Sequence, residues 1–436
     1  MRVFRCLLII ISCCFLFSQA EEKKNDQRHI KPQKTILVTE DSDEPSKQIL
    51  GLFFQISELI EKLNTAGKPP EEDSQIRKDI SELLKKAVAF ESDEKIKKYF
   101  SSLSQDILKN DFKSSYSDWS VLENRTGNLI IQYHEDQKKM DYFVIKKHDA
   151  WTRKVTKYLS LIEKMKSNST MKFVRSVTPV TLVRPFVIAD LLATSGINRF
   201  ALLHPPESIG RETSPAKVII FRNLARHFFN QILEPVAARA FGGRVLKFVR
   251  FESYLSNLIM HKIAHFLGPF LVGTKSEDVI LVNTKLGDLF YCIDEIKADT
   301  VALCNTEVLI KEKLISQKHE KRVYATYVAQ LLEKVRMEPE SGSRQPYLIQ
   351  IHFLLKNEGI IFNVDTNNLF IDFDKLKENL KKLMTMVLKI QQNGNYMGAQ
   401  QLIKEFAEVP EALKRIIKKM ENLPVGINAG SIFQVK

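Results

Sequence analysis

The chain has 436 residues, 44% of them apolar, and carries 65 Lys and Arg against 52 Asp and Glu for a formal net charge of +13. That length and apolar share are enough for two lobes with sizeable cores, which excludes a chain that is disordered throughout. The basic excess raises binding to nucleic acid or acidic glycans, but the lysines are dispersed among glutamates, as at Lys377, Lys381 and Lys382. That is the pattern of a solvated surface, so no nucleic-acid partner is expected.

Residues 1–20 read as a secretory signal: Arg2 and Arg5 give a basic start, Cys6 to Phe17 an apolar core, and Ser18-Gln19-Ala20 a small-residue cleavage site. The apolar run falls short of the roughly 18 to 20 residues that span a bilayer, and no later run is longer. A secreted, extracellular protein with no membrane span is expected. Cleavage removes two arginines, taking the formal charge from +13 to +11, and three of the five cysteines. Cys292 and Cys304 remain, and twelve residues along one unbroken helix span about 18 Å, too far for a disulfide. They are expected as core thiols.

Residues 21–47 are polar and read as a flexible leader, with order beginning near Gln48. Apolar residues at helical spacing predict helices over 49–63, ended by Gly67-Lys68-Pro69-Pro70, and over 72–90. Leu129 to Tyr133 reads as a strand, followed by a polar helix running through Tyr142, Phe143 and Ile145. Residues 187–203 read as a strand pair interrupted at Gly196-Ile197-Asn198. A helix over 214–241 with a break at Pro235 and an extended segment over 244–251 follow. Asn124-Arg125-Thr126 and Asn168-Ser169-Thr170 are glycosylation sequons, which makes Asn124 and Asn168 candidate acceptors in a secreted protein.

The stretch Met260-His261-Lys262-Ile263-Ala264-His265-Phe266-Leu267-Gly268-Pro269 carries the chemistry. With 251–267 helical, the imidazoles of His261 and His265 leave one face a turn apart and can share one ion. A second helical stretch, Ile293-Asp294-Glu295-Ile296-Lys297-Ala298-Asp299, offers Glu295 as a third ligand. Further on, a helix over 322–336, a polar loop over 338–344, an apolar stretch over 347–357 and a hairpin pairing 360–362 with 369–371 are expected. Helices over 376–391, 399–406 and 413–420 complete the chain.

The two central stretches resemble the HExxH and EExxAD motifs of dipeptidyl-peptidase III-like zinc metallopeptidases, in particular the shorter bacterial-type branch, and the likeness extends over residues 49–433. The resemblance implies a mainly helical α+β protein, a two-lobed zincin-like peptidase fold with a small β element and a cleft between the lobes. It implies zinc on His261, His265 and Glu295, with Asp294 and Asp299 as the orienting carboxylates behind them. It also places Glu135 in a cleft-facing stretch whose family tyrosine is missing here, and Ser343 where the family carries a substrate-contacting histidine; Arg344 beside it is either a cationic substitute for that histidine or, the favoured reading, a solvent-facing loop arginine. The glutamate that serves the family as general base is here Lys262. Phe266 stands where the bacterial-type branch usually has glycine, either filling substrate space or packing as a core aromatic.

An ammonium group cannot accept the proton that a carboxylate takes from a metal-bound water. Exchanging Glu for Lys at ~5 Å from a divalent cation, with an effective dielectric near ~20, costs on the order of 10 kcal/mol before relaxation. Lys262 is therefore expected to swing outward or to weaken the metal, with a third outcome, a lysine forced neutral by zinc and burial, that could serve as a base. The division expected is a signal at 1–20, a leader at 21–47, an N-terminal lobe at 48–210 and a helical lobe with the metal motifs at 211–436. Two functions follow. One is a secreted, catalytically inactive zinc-binding pseudopeptidase that binds peptides or an extracellular protein. The other is an active zinc-dependent dipeptidyl peptidase with a non-standard proton acceptor.

Overall fold

The computed structural model describes residues 29–30, 44–65, 67, 69–122, 128–134, 139–168, 184–195, 200–204, 216–273, 280–337 and 344–427. The expected signal, most of the leader, Asn124, Glu135 and Ser343 lie outside these residues. The chain is mainly helical α+β and forms two compact units. One comprises Ile30–Thr156 and Arg184–His227, the other Lys157–Val183 and Phe228–Gly426, apart from short terminal stretches. A split at residue 210 places 157–168 with the first unit, whereas the contacts place it with the second. The reason is local: Lys164 pairs with Glu312 at 2.6 Å, and Asn168 Nδ2 donates to Cys304 O and Asn305 Oδ1 at 3.3 Å each.

The first unit starts with four helices: α1 (Glu44–Leu63), α2 (Pro70–Phe90), α3 (Glu94–Lys109) and α4 (Lys113–Ser120). In α1, Phe53, Ile56 and Ile60 are fully buried at helical spacing, the stripe expected from the sequence. Asp93 caps α3 by accepting from the amides of Lys95 and Ile96, and Asn110 ends it in the left-handed region.

The strands are β1 (Leu129–His134), β2 (Lys139–Lys147), β3 (Phe186–Thr194), β4 (Ala201–His204) and β5 (Lys217–Phe221), in the spatial order β1-β2-β3-β5-β4. Two expectations are corrected here. The segment through Tyr142, Phe143 and Ile145 is β2, antiparallel to β1 with Ile130 opposite Phe143 and Ile131 opposite Tyr142. Tyr142, Phe143, Val144 and Ile145 are all buried, so no face alternates and the period could not be read from the sequence. Residues 217–221, expected as the start of a helix, are β5, which lies between the two strands expected as a pair. It runs parallel to β3 (Val187 opposite Ile219) and antiparallel to β4 (Leu202 opposite Ile219).

His204 at the end of β4 is fully buried, with the rings of Trp119 and Tyr116 edge-on at 4.4 and 5.1 Å and its Nδ1 accepting from Gln132 Nε2 at 3.1 Å. Burial, with the charge of Lys217 adding to it, holds its pKa well below the usual imidazole value. Such a histidine takes up a proton only on unfolding, so its contribution is complete above the unfolded pKa of about 6.5 and is lost as pH falls. Unfolding free energy is expected to drop by up to ~1.4 kcal/mol per pH unit below that value. Urea unfolding at pH 7, 6 and 5 measures the slope, and an equal slope in His204→Phe would remove His204 as its source.

In the second unit, Pro235 does not end a helix. A π-helical turn, Phe229–Leu233, leads directly into Glu234–Ala240, where the proline sits in the first turn and its missing N–H is not needed. The segment expected to be extended contains a helical turn, Gly243–Leu246. The main helices are α5 (Phe251–Ala264), α6 (Phe290–Cys304), α7 (Glu320–Val335) and α8 (Gln345–Lys356). The hairpin of β6 (Ile360–Asn363) and β7 (Asn368–Ile371) comes next, then α9 (Phe373–Asn393) and α10 (Tyr396–Phe406). Helix α6 packs against α5, α8 and α9. It is buried on every side, which gives it the character of a central core helix. Cys292 and Cys304 at its two ends are buried free thiols whose pKa burial pushes up to about 12. Gly394 ends α9 with φ +56, and a Cβ there would come within 2.9 Å of Lys285 Cβ. No helix among the described residues is long and apolar enough to cross a membrane.

Candidate metal centre

Helix α5 tightens at its end into a 3-10 turn, His265–Leu267, closed by Gly268 at φ 73. The change of pitch leaves His261 and His265 one turn apart, with their Nε2 atoms 3.1 Å from each other. Glu295 faces them from α6, its Oε2 3.5 Å from His261 Nε2 and its Oε1 3.5 Å from His265 Nε2. His265 and Glu295 are each 3% exposed.

Behind this triangle, His261 Nδ1 lies 2.7 Å from Asp299 Oδ1, and His265 Nδ1 lies 2.8 Å from Asp294 Oδ2. Carboxylates accept only, so each imidazole donates from Nδ1 and turns the Nε2 lone pair inward. The sequence reading did not identify the residues that hold these carboxylates. Lys297 Nζ and Gln391 Nε2 reach Asp294 Oδ1 at 2.8 and 2.9 Å. Gln350 Nε2 donates to Asp299 Oδ2 at 3.0 Å, and Tyr327 OH donates to Gln350 Oε1 at 2.6 Å. Tyr347 OH donates to Glu295 Oε2 at 3.2 Å. Lys297 was legible in principle, since a lysine three residues after Asp294 on an otherwise apolar helix needs a partner. The others come from separate helices and left no local trace.

Burial, with His261 adding to it, holds the pKa of His265 below the usual imidazole value despite Asp294, so it stays neutral, the state that binds metal. Burial alone would raise Asp294. The charge of Lys297 and the bond from His265 outweigh it and hold that carboxyl well below the usual range. Asp294, Glu295 and Asp299 against Lys297 leave two formal negative charges, the complement of a divalent cation. Two inward lone pairs at 3.1 Å with carboxylate oxygens at 3.5 Å repel each other unless a cation lies between them. A tetrahedral ion with bonds of ~2.0 to 2.1 Å has ligand-to-ligand edges of about 3.3 Å, close to the 3.1 Å between the two Nε2 atoms, and one ligand atom from each of His261, His265 and Glu295 lies within 4.8 Å of the other two. His261, His265 and Glu295 form the metal-ligand group found among the described residues.

Lys262 is 8% exposed, so it does not extend into solvent as expected. Helix α5 is buried on nearly every side. Phe266 is fully buried. Arg344 is half-buried at the N-terminal end of α8, its Nε buried without a hydrogen-bond partner among the described residues. Burial lowers its pKa from the usual guanidinium value. Asn168 ends the helix Ile162–Asn168, and the amide nitrogen that would carry a glycan makes the two bonds to Cys304 and Asn305.

No protein-family model matches the chain. Among solved structures it is similar to the DPP III of Caldithrix abyssi, with a TM-score of 0.81 and 18% identity over 93% of this chain and 98% of that one. It is also similar to the dipeptidyl-peptidase III of Corallococcus sp. strain EGB, with a TM-score of 0.64 and 20% identity over 82% of this chain and 68% of that one. The class these likenesses define is a fold, that of dipeptidyl-peptidase III. Among curated proteins the chain is 22% identical over 368 residues to Nudix hydrolase 3 of Arabidopsis thaliana, which covers 82% of the chain. The chain spans 47% of that relative's length.

Proposed function

We propose that this protein is a secreted, zinc-holding pseudopeptidase with the dipeptidyl-peptidase III fold, binding peptides or an extracellular protein without cutting them. The observation that carries the reading is the convergence of His261 Nε2, His265 Nε2 and Glu295, each imidazole backed by its own carboxylate. A bound zinc would supply Lewis-acid polarisation of a peptide carbonyl. The chain's own residues do not supply the accompanying proton transfer. Lys262 takes the position that the family resemblance assigns to the general base, and an ammonium has no lone pair to accept a proton.

The neighbouring carboxylates are committed. Both oxygens of Asp294 accept hydrogen bonds, from His265 on one side and from Lys297 and Gln391 on the other. Both oxygens of Asp299 do so as well, from His261 and Gln350. Glu295 faces the two imidazoles. This arrangement supports a site that holds a metal and binds, rather than one that hydrolyses.

Zinc-supplemented digestion of a mixed peptide library by the secreted protein, beside Lys262→Glu and with metal content measured on both, tests the reading. One zinc per chain and no cleavage by the native protein are expected, with any cleavage confined to Lys262→Glu. Zinc-dependent cleavage by the native protein that His261→Ala abolishes would establish the alternative, an active dipeptidyl peptidase. N-terminal sequencing of the secreted chain is expected to start near Glu21.

A further inference from the structure

We infer that α8 sets the coordination of this site, with Tyr347 as a positioning residue that restricts Glu295 to one coordinating oxygen and Gln350 as the lock on Asp299 behind His261. The inference rests on the zinc reading above and concerns residues that the motifs do not contain.

The two oxygens of Glu295 stand 3.5 Å from one imidazole Nε2 each, so the carboxylate by itself is poised to engage an ion through both. Among the described residues, the bond from Tyr347 OH to Oε2, at 3.2 Å, distinguishes them. A phenol donating to Oε2 occupies one of its lone pairs and draws charge from it, which leaves Oε1 the better ligand. Tyr347 and Gln350 are three residues apart and share one face of α8, while Glu295 and Asp299 are four apart and share one face of α6, so one turn of donors meets one turn of acceptors.

The direction of the Gln350 amide is settled by its other end. Tyr327 OH donates to Gln350 Oε1 at 2.6 Å, so the NH2 group faces Asp299. Gln350 is fully buried and Tyr327 is 3% exposed, so the outer half of the relay Tyr327, Gln350, Asp299, His261 is packed in the interior.

The test uses the full secreted chain with zinc alone and with cobalt(II) alone as probes, in the native form, Tyr347→Phe and Gln350→Met. In Tyr347→Phe, Glu295 gains its second oxygen and the coordination number rises, so the visible cobalt absorption is expected to fall at least ~2-fold. Zinc dissociation constants, from competition with a chromophoric chelator, are expected to rise ~10- to 100-fold in Gln350→Met, and to fall in Tyr347→Phe, where Glu295 regains the charge that the phenol withdrew. The melting temperature of metal-free Tyr347→Phe should stay close to native, a change of coordination that a merely structural tyrosine would not produce. Should Gln350→Met fail to fold, Tyr327→Phe removes the same lock from its outer end. Native cobalt spectrum and native zinc affinity in Tyr347→Phe would overturn this inference and leave the zinc reading standing. Failure of the native chain to bind either metal would overturn both.

Discussion

Lys297→Met is expected to cost the metal-free protein about 3–5 kcal/mol, because it strands a buried carboxylate. Lys297 is fully buried and its ammonium lies 2.8 Å from Asp294 Oδ1, while Asp294 is 5% exposed. Without the lysine, Asp294 keeps Gln391 and His265 as partners but loses the ammonium 2.8 Å from its Oδ1. Methionine matches the aliphatic stem, so the loss reports the charge rather than a cavity. Urea unfolding of the metal-free forms measures it. The double variant Asp294→Asn/Lys297→Met should recover much of the loss, since removing both charges of a buried pair is far cheaper than removing one. A cost below ~1 kcal/mol would mean that the pair behaves like an exposed one.

Zinc affinity is expected to fall on the order of 10^3-fold or more in His265→Ala. Loss of a residue that only orients a ligand costs ~10- to 100-fold, and loss of the ligand itself must exceed that. His265 is also what turns Asp294 Oδ2 toward the site, through their 2.8 Å hydrogen bond, so the alanine removes a ligand and leaves that oxygen without its donor. Chelator competition on native protein, His265→Ala and Glu295→Gln gives the three constants. Native affinity in His265→Ala would rule out the triangle of His261, His265 and Glu295 as the site.

The candidate ligands were legible because a helix makes spacing into geometry: residues four apart share a face, whatever else the chain does. The same rule carried the helices around Phe53 and over α9, where apolar residues recur at helical spacing. It failed for Tyr142 to Ile145 and for Val218 to Phe221, where every residue is buried and the pattern holds no period. In both places a neighbouring strand decided the conformation, β1 for the first and β3 with β4 for the second. Pro235 misled for a different reason: a π-helical turn just before it absorbs the irregularity, and no composition cue announces such a turn.

Spacing by itself thus determined that His261 and His265 could share an ion and that a lysine stands beside the first of them, while Glu295 as the third ligand came from the family resemblance. Only the tertiary structure decided what holds them. Tyr327, Tyr347, Gln350 and Gln391 arrive from α7, α8 and α9, and nothing in their own segments marks them as partners of Asp294, Glu295 or Asp299. The physical reason is that a hydrogen bond between helices depends on how two helices cross and rotate against each other. Packing around the buried α6 sets that crossing, and it is a property of the assembled core rather than of any one stretch of sequence.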